Sequence, residues 1–182
     1  MYFNEKGKVN TEKTIELAVK AAKENNISNI VVASCSGNTA KCLKDQKDLN
    51  IICVTHAYGF KNPGKNEMTD DTKEELKNIG IQVLTTTHVL SGAERGISKK
   101  FGGINPVEIV AYSLRMLGQG VKVCAEISIM ALDSGLIPYG EKVIAIGGSA
   151  YGADTAVVIT PAHANDVFQT KIHEIICKPR QF

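Results

Sequence analysis

Four consecutive apolar residues, Ile30-Val31-Val32-Ala33, run straight into Ser34-Cys35-Ser36-Gly37-Asn38-Thr39-Ala40 and then into a helix-forming stretch over 39–45. A strand with one face in water alternates, so this unbroken run fits a parallel strand covered on both sides. The heptapeptide after it is small, hydroxyl-rich and centred on a glycine, which leaves backbone N–H groups free to surround an anion. A helix starting there adds unsatisfied N–H donors and the positive end of its dipole. The hydroxyls of Ser34, Ser36 and Thr39 can donate as well. The outline is a phosphate cradle. A plain strand-to-helix turn with a Ser or Thr cap fits the same seven residues equally well. The segment lacks the glycines of a dinucleotide fingerprint and the Gly-Lys-Ser/Thr of a nucleoside-triphosphate loop, so a single terminal phosphate suits it better than a pyrophosphate.

The flanking chain keeps the same rhythm. Asn10 or Thr11 caps a predicted helix to about Asn25, with Ile15, Ala18, Val19 and Ala22 on one face. Asn50-Ile51-Ile52-Cys53-Val54 is a second strand, and residues 81–85 are a third after a helix that Thr69-Asp70-Asp71 opens and Gly80 stops. Long connections follow both strands, over 55–68 and 86–104; the second holds four glycines and three cations in nineteen residues. Connections of that length serve a site or are disordered, and the glycine-rich one is a candidate lid whose movement its residues do not specify. Asn105 and Pro106 open a helix over 107–117, Gly118 and Gly120 break it, and an apolar helix over 121–134 is buried either inside the domain or at a subunit contact. Met116 and Met130 fall on these helical faces as core residues. Residues 142–148 and 155–159 are the fourth and fifth strands; the short gap between them favours a hairpin, hence an antiparallel pair. An alternating sixth strand over 171–177 reads as an edge. The whole, 1–182, is expected to be one α/β domain, mostly parallel, with an antiparallel edge.

Composition narrows the partners. Hydrophobic residues make up 43% and charged residues 22%, as in a globular domain. A net charge of +2 gives no general attraction for nucleic acid or anionic membrane. The five cysteines form no Cys-x-x-Cys pair or metal-ligand spacing, which fits reduced thiols in the cytoplasm. His163 and His173 have no partner pattern, and no metal site is expected. The start has no apolar signal core, and the greasiest stretch, 121–136, is interrupted by Lys122, Glu126 and Asp133.

Two resemblances attach to these residues. Ser34-x-Ser36-Gly37-Asn38-Thr39 is similar to the phosphate loop of flavodoxins, which holds the phosphate of FMN. More broadly, the chain resembles a small family of stand-alone proteins with the pyruvate kinase C-terminal-domain fold. Carrying that resemblance are the anchor loop, Asn66-Glu67-Met68, Thr87-His88-x-Leu90-Ser91-Gly92-x-Glu94-Arg95-Gly96, Lys100-Phe101-Gly102-Gly103, Gly118-Gln119-Gly120-Val121-Lys122-Val123 and Gly152-Ala153-Asp154-Thr155. It implies a three-layer α/β/α sandwich and an association with FMN, but no agreed reaction. In pyruvate kinase the corresponding loop serves a sugar-phosphate effector; the barrel domain with the kinase chemistry has no counterpart in these 182 residues, so kinase activity is not implied.

Ligands of open parallel sheets gather where strand order reverses. An order of 3-2-1-4-5 would set Ser34, Cys35, Ser36, Gly37, Asn38 and Thr39 beside Gly147 and Gly148, with Arg95 or Lys99 adding charge. Loop residues Tyr58, Gly59 and Thr87 share that rim. His56 and His88, each just after a strand, can hydrogen-bond a flavin, act as acid or base, or simply satisfy backbone carbonyls. Tyr58, Phe60 and Tyr151 are candidates to cover a flat ring or to pack their own loops. Cys35 is either a thiolate activated at a helix N-terminus or a small buried spacer. Two functions are expected to compete: an FMN-binding protein, including a flavin-dependent oxidoreductase, and a non-catalytic sensor of a phosphorylated metabolite. A homo-oligomer is the expected macromolecular partner.

Overall fold

The apolar runs become strands buried on both faces. In the computed structural model, which describes residues 1–181, β2 (Asn29–Ala33), β3 (Asn50–Val54) and β5 (Val143–Gly147) form the middle of the sheet and are buried along nearly all their length. With β1 (Tyr2–Phe3), β4 (Ile81–Leu84), β6 (Thr155–Thr160) and β7 (Lys171–Pro179), the described residues make a seven-stranded sheet of order β1-β7-β6-β5-β2-β3-β4. β2 pairs in parallel with β3 and β5, and β3 with β4. β6 runs antiparallel to both β5 and β7. The strand expected at the edge, β7, is next to the edge instead: its end pairs with Tyr2 and Phe3. A two-residue strand is too short to show a period in sequence.

Side-chain alternation splits the core in two. Ile30 and Val32 face α1 (Thr11–Glu24), α2 (Asn38–Lys41) and α3 (Asp70–Asn78), whereas Val31 and Ile52 face α6 (Gln119–Asp133). α5 (Pro106–Arg115) packs on α6, and α4 (Gly92–Phe101) packs on α5. The three layers are therefore helices, sheet, helices. No helix among the described residues is long and apolar enough to cross a membrane.

Several expectations change. The glycine-rich connection over 86–104 is not a loop throughout, because Gly92–Phe101 is helical. Its two glycines are outweighed by strong helix formers and by ties to α5: Val107 N–H donates to Glu94 Oε2 at 2.9 Å and Ser98 Oγ to Glu108 Oε2 at 2.7 Å. The helix expected over 39–45 is a single α-turn followed by hydrogen-bonded turns. α6 is buried inside the domain, against the sheet, and not at a subunit contact. Gly120 does not break a helix; it lies in α6, where an added Cβ would collide with Thr155. Met130 is core, but Met116 is 77% exposed, on an outer surface with Phe101, Ile104, Ile109 and Tyr112.

Candidate functional site

Strand order reverses between β2 and β5, and the carboxyl ends of those two strands open onto a cavity of about 670 Å³. Ser34, Cys35, Ser36 and Thr39 line it from the β2 side, and the turn from Gly148 to Gly152 lines it from the β5 side. The connection after β3 adds His56, Lys61, Lys65 and Glu67. Gly37 sets the shape of the cradle from behind. Its φ is +85°, and a Cβ there would lie 2.6 Å from Thr72 Cγ2, so only glycine allows both the left-handed turn and the close approach of α3.

The β5–β6 turn is held by the N-terminal segment. Asp154 is fully buried, and its carboxylate accepts from Gly7 N–H at 2.8 Å, Ser149 N–H at 3.2 Å and Thr155 Oγ1 at 2.8 Å. Ala153 N–H donates to Thr11 Oγ1 at 3.1 Å. This clamp presents Ser149 to the cavity. Its Oγ is the one buried side-chain nitrogen or oxygen among the described residues with no hydrogen-bond partner.

On the β3 side, His56 Nδ1 meets Glu67 Oε2 at 2.6 Å, and the His56 ring stacks on Phe60 with centroids 3.9 Å apart. Asn66 fixes the local turn, its Oδ1 accepting Met68 N–H at 2.7 Å. Cys35 lies beside this pair. Burial, opposed by a backbone hydrogen bond from His56 and reinforced by the charge of Glu67, pushes the Cys35 thiol up to about 11. Desolvation thus favours the neutral thiol at Cys35, and the single turn of α2 offers little helix dipole against it.

A smaller cavity of about 140 Å³ adjoins, lined by His56, Phe60, His88, Arg95, Arg115, Gln119 and the pair Lys122 and Glu126. Lys122 Nζ contacts Glu126 Oε2 at 2.5 Å with both side chains over nine-tenths buried, and Glu126 Oε1 accepts Leu90 N–H at 3.0 Å. Burial pulls the Lys122 ammonium below its usual range, against the opposing attraction of Glu126. Burial likewise lowers His88, whose Nε2 accepts Ala57 N–H at 3.4 Å. His88 is thus a neutral acceptor near His56, at a ring separation of 5.4 Å.

Of the residues nominated from sequence, Ser34, Cys35, Ser36, Thr39, His56 and Gly148 line the large cavity, and Cys35, His56, His88 and Arg95 line the small one. Gly37 supports the cradle without lining it, and Asn38 opens the short α2. Gly147 is buried against α6. Tyr58 turns away, its hydroxyl accepting from Lys73 Nζ at 3.2 Å, and Gly59 closes a loop through its N–H to Lys65 O. Thr87 is exposed and lines neither cavity, and Lys99 is an exposed position of α4. The cations on the large cavity are Lys61 and Lys65, neither of which forms an ion pair among the described residues. Glu67 was visible in sequence only within Asn66-Glu67-Met68, Lys122 within the 118–123 segment and as an interruption in an apolar helix, and Glu126 only as such an interruption. Ser149 carried no signal at all.

A central parallel sheet with helices on both faces, a hydroxyl-lined cradle after β2 and a cavity at the order reversal define an open α/β domain of the doubly wound kind. A family model described as pyruvate kinase, alpha/beta domain, matches residues 12–159, and the chain belongs to that family. Among solved structures, two of a Cryptosporidium parvum pyruvate kinase are similar at 18% identity, with TM-scores of 0.40 and 0.39, covering 76% and 75% of this chain and 20% of each enzyme chain. A third, of Cryptosporidium parvum pyruvate kinase in complex with ADP, is similar at 17% identity and a TM-score of 0.40, covering 89% of this chain and 23% of that one. The chain thus spans about a fifth of the length of those enzymes.

Proposed function

We propose that this protein binds a phosphorylated small molecule, with FMN the first candidate, at the reversal between β2 and β5. The observation that carries the reading is the convergence of Ser34, Ser36 and Thr39 with the unpartnered Ser149 Oγ on one cavity. A buried hydroxyl without a partner costs about 1–3 kcal/mol of desolvation, and a phosphate oxygen accepting from it would recover that cost. Lys61 and Lys65 supply charge that no carboxylate among the described residues neutralises within ion-pair distance. Because α2 is one turn long, the cradle works through hydroxyls and loop N–H groups more than through a helix dipole.

The residues present fit FMN at its phosphate end and less fully at its ring. Tyr151 lines the cavity and can cover an isoalloxazine, and His56 stands ready to hydrogen-bond it. Bound flavin would supply hydride or electron transfer, making the protein a flavin-dependent oxidoreductase; the chain's own part would be to anchor the phosphate, orient the ring and exclude water. One observation favours a second reading. Tyr58 points away and Tyr151 is 83% exposed, so ring cover is thin. A phosphorylated metabolite sensed without catalysis needs none.

An absorbance spectrum before and after adding FMN, with mass spectrometry of whatever denaturation releases, separates the two. Stoichiometric FMN is the expected result. A chain that neither carries nor accepts flavin but still binds a phosphorylated metabolite would move the assignment to the sensor. Ser149→Ala tests the cradle in either case. It removes an unsatisfied buried hydroxyl, so the ligand-free protein should gain roughly 1 kcal/mol in urea unfolding while phosphate-ligand affinity falls. Unchanged affinity would remove Ser149 from the site.

A further inference from the structure

We propose that Cys35, His56 and Glu67 form a three-ligand site for a divalent zinc-type metal ion on the wall of the large cavity. The three residues come from two segments separated in sequence, the loop after β2 and the connection after β3, yet one donor atom from each lies within 4.8 Å of the other two. All three line the same cavity. Sulfur, imidazole nitrogen and carboxylate oxygen together suit a borderline cation of the zinc class better than Mg²⁺ or Ca²⁺, which prefer oxygen alone.

The distances suit closure with small adjustments. Zinc bonds of about 2.0–2.3 Å in a tetrahedral site hold donor atoms roughly 3.3–3.8 Å apart. The 4.8 Å spread must contract by about an ångström, and the 2.6 Å contact between His56 Nδ1 and Glu67 Oε2 must open as the cation takes the place of the proton between them. Glu67 and His56 belong to the connection between β3 and α3, whose turns rest on Gly59 and Gly64 at positive φ, and both side chains keep about 30% exposure. Neither is locked in a packed core.

The surroundings are consistent with the same cation. A cysteine ligand binds such a cation as the thiolate, its proton leaving as the ion enters. Loading therefore releases protons, and apparent affinity rises with pH. Three protein ligands leave a fourth position to be filled from the cavity, which is the pattern of catalytic zinc rather than the closed four-ligand pattern of structural zinc. A water or a ligand oxygen in that position would be polarised by the ion. This inference rests on the three donors alone and holds whether or not FMN or another phosphorylated molecule binds.

The test uses the full chain, stripped with a chelator and titrated with Co²⁺, then with Zn²⁺ in competition. The expected result is one Co²⁺ per chain, a near-ultraviolet thiolate-to-cobalt charge-transfer band, and displacement of that band by Zn²⁺. Cys35→Ser should lose the band, and Cys42→Ser, an exposed cysteine outside the trio, should keep it. Glu67→Gln should weaken Co²⁺ binding by more than the roughly 10- to 100-fold that outer-shell partners typically contribute. Glu67 sits in a surface connection, so that variant carries the test even if Cys35→Ser fails to fold. No thiolate band in the unmutated chain, an undiminished band in folded Cys35→Ser, or unchanged affinity in Glu67→Gln would each overturn the site.

Discussion

At the scale of single residues, the histidine beside the small cavity makes folding sensitive to acid. Burial lowers the pKa of His88 from 6.5; the Glu126 charge opposes that shift, and His56, Lys122 and Arg95 add to it. The native protein therefore holds this proton less tightly than the unfolded chain does. Stability from this group is fully present above pH 6.5, where both states are neutral, and is lost as pH falls through the lowered native value. Urea midpoints measured from roughly pH 8 to pH 5 should hold level and then decline, and His88→Gln should flatten the lower part of the profile. A variant whose acid limb matches that of the unmutated chain would show that another group sets it. Position after a strand was enough to suggest His88 as a rim residue. The burial that decides its protonation depends on Leu90, Glu126 and α6 folding around it.

At the scale of elements, the contact between α6 and the sheet rests on missing side chains. Gly120 in α6 faces Thr155 of β6, and Gly147 of β5 lies with its would-be Cβ 2.8 Å from Gly120 O. Gly120→Ala should force the helix away from the sheet and cost roughly 1–3 kcal/mol, the usual range for overpacking, read as a lowered midpoint in urea unfolding. Thr155→Ala in the same chain should return part of that loss, because it removes Oγ1, the atom struck first, while Cβ at 2.4 Å stays in the way. Equal stability of Gly120→Ala and the unmutated chain would mean that the packing gives way freely. Sequence marks Gly120 as a helix breaker, and in a solvated helix it would be one. Against a sheet, the entropic penalty of glycine is set against the close approach it permits. The same logic applies to Gly92 and Gly96: α4 forms despite them, through its ties to Asn105, Val107 and Glu108.

At the scale of the molecule, one sheet is the shared wall of two apolar cores. Ile30 and Val32 belong to one and Val31 to the other, so neither core survives loss of β2. The N-terminal strand joins the opposite end of the chain at β7, and Gly7 binds Asp154. Far-ultraviolet circular dichroism and tyrosine fluorescence should therefore report coincident urea transitions. Separate transitions would show that the two cores melt independently.

The sequence by itself determined the α/β class, the central strands and the position of the cradle. Those features rest on local information: unbroken apolar runs mark strands buried on both faces, a short β5–β6 gap forces an antiparallel turn, and glycine with hydroxyls marks the loop after β2. Only the tertiary structure decided which side chains meet. Glu67 reaches His56 across eleven positions and the loop between them, Asp154 reaches Gly7 across 147, and Ser149 is left without a partner by that same clamp. Such meetings depend on how separate segments converge on one rim, which no local pattern records. The fold is legible because burial repeats along a strand; the site is less so because it is assembled from single residues whose neighbours in space are distant in the chain.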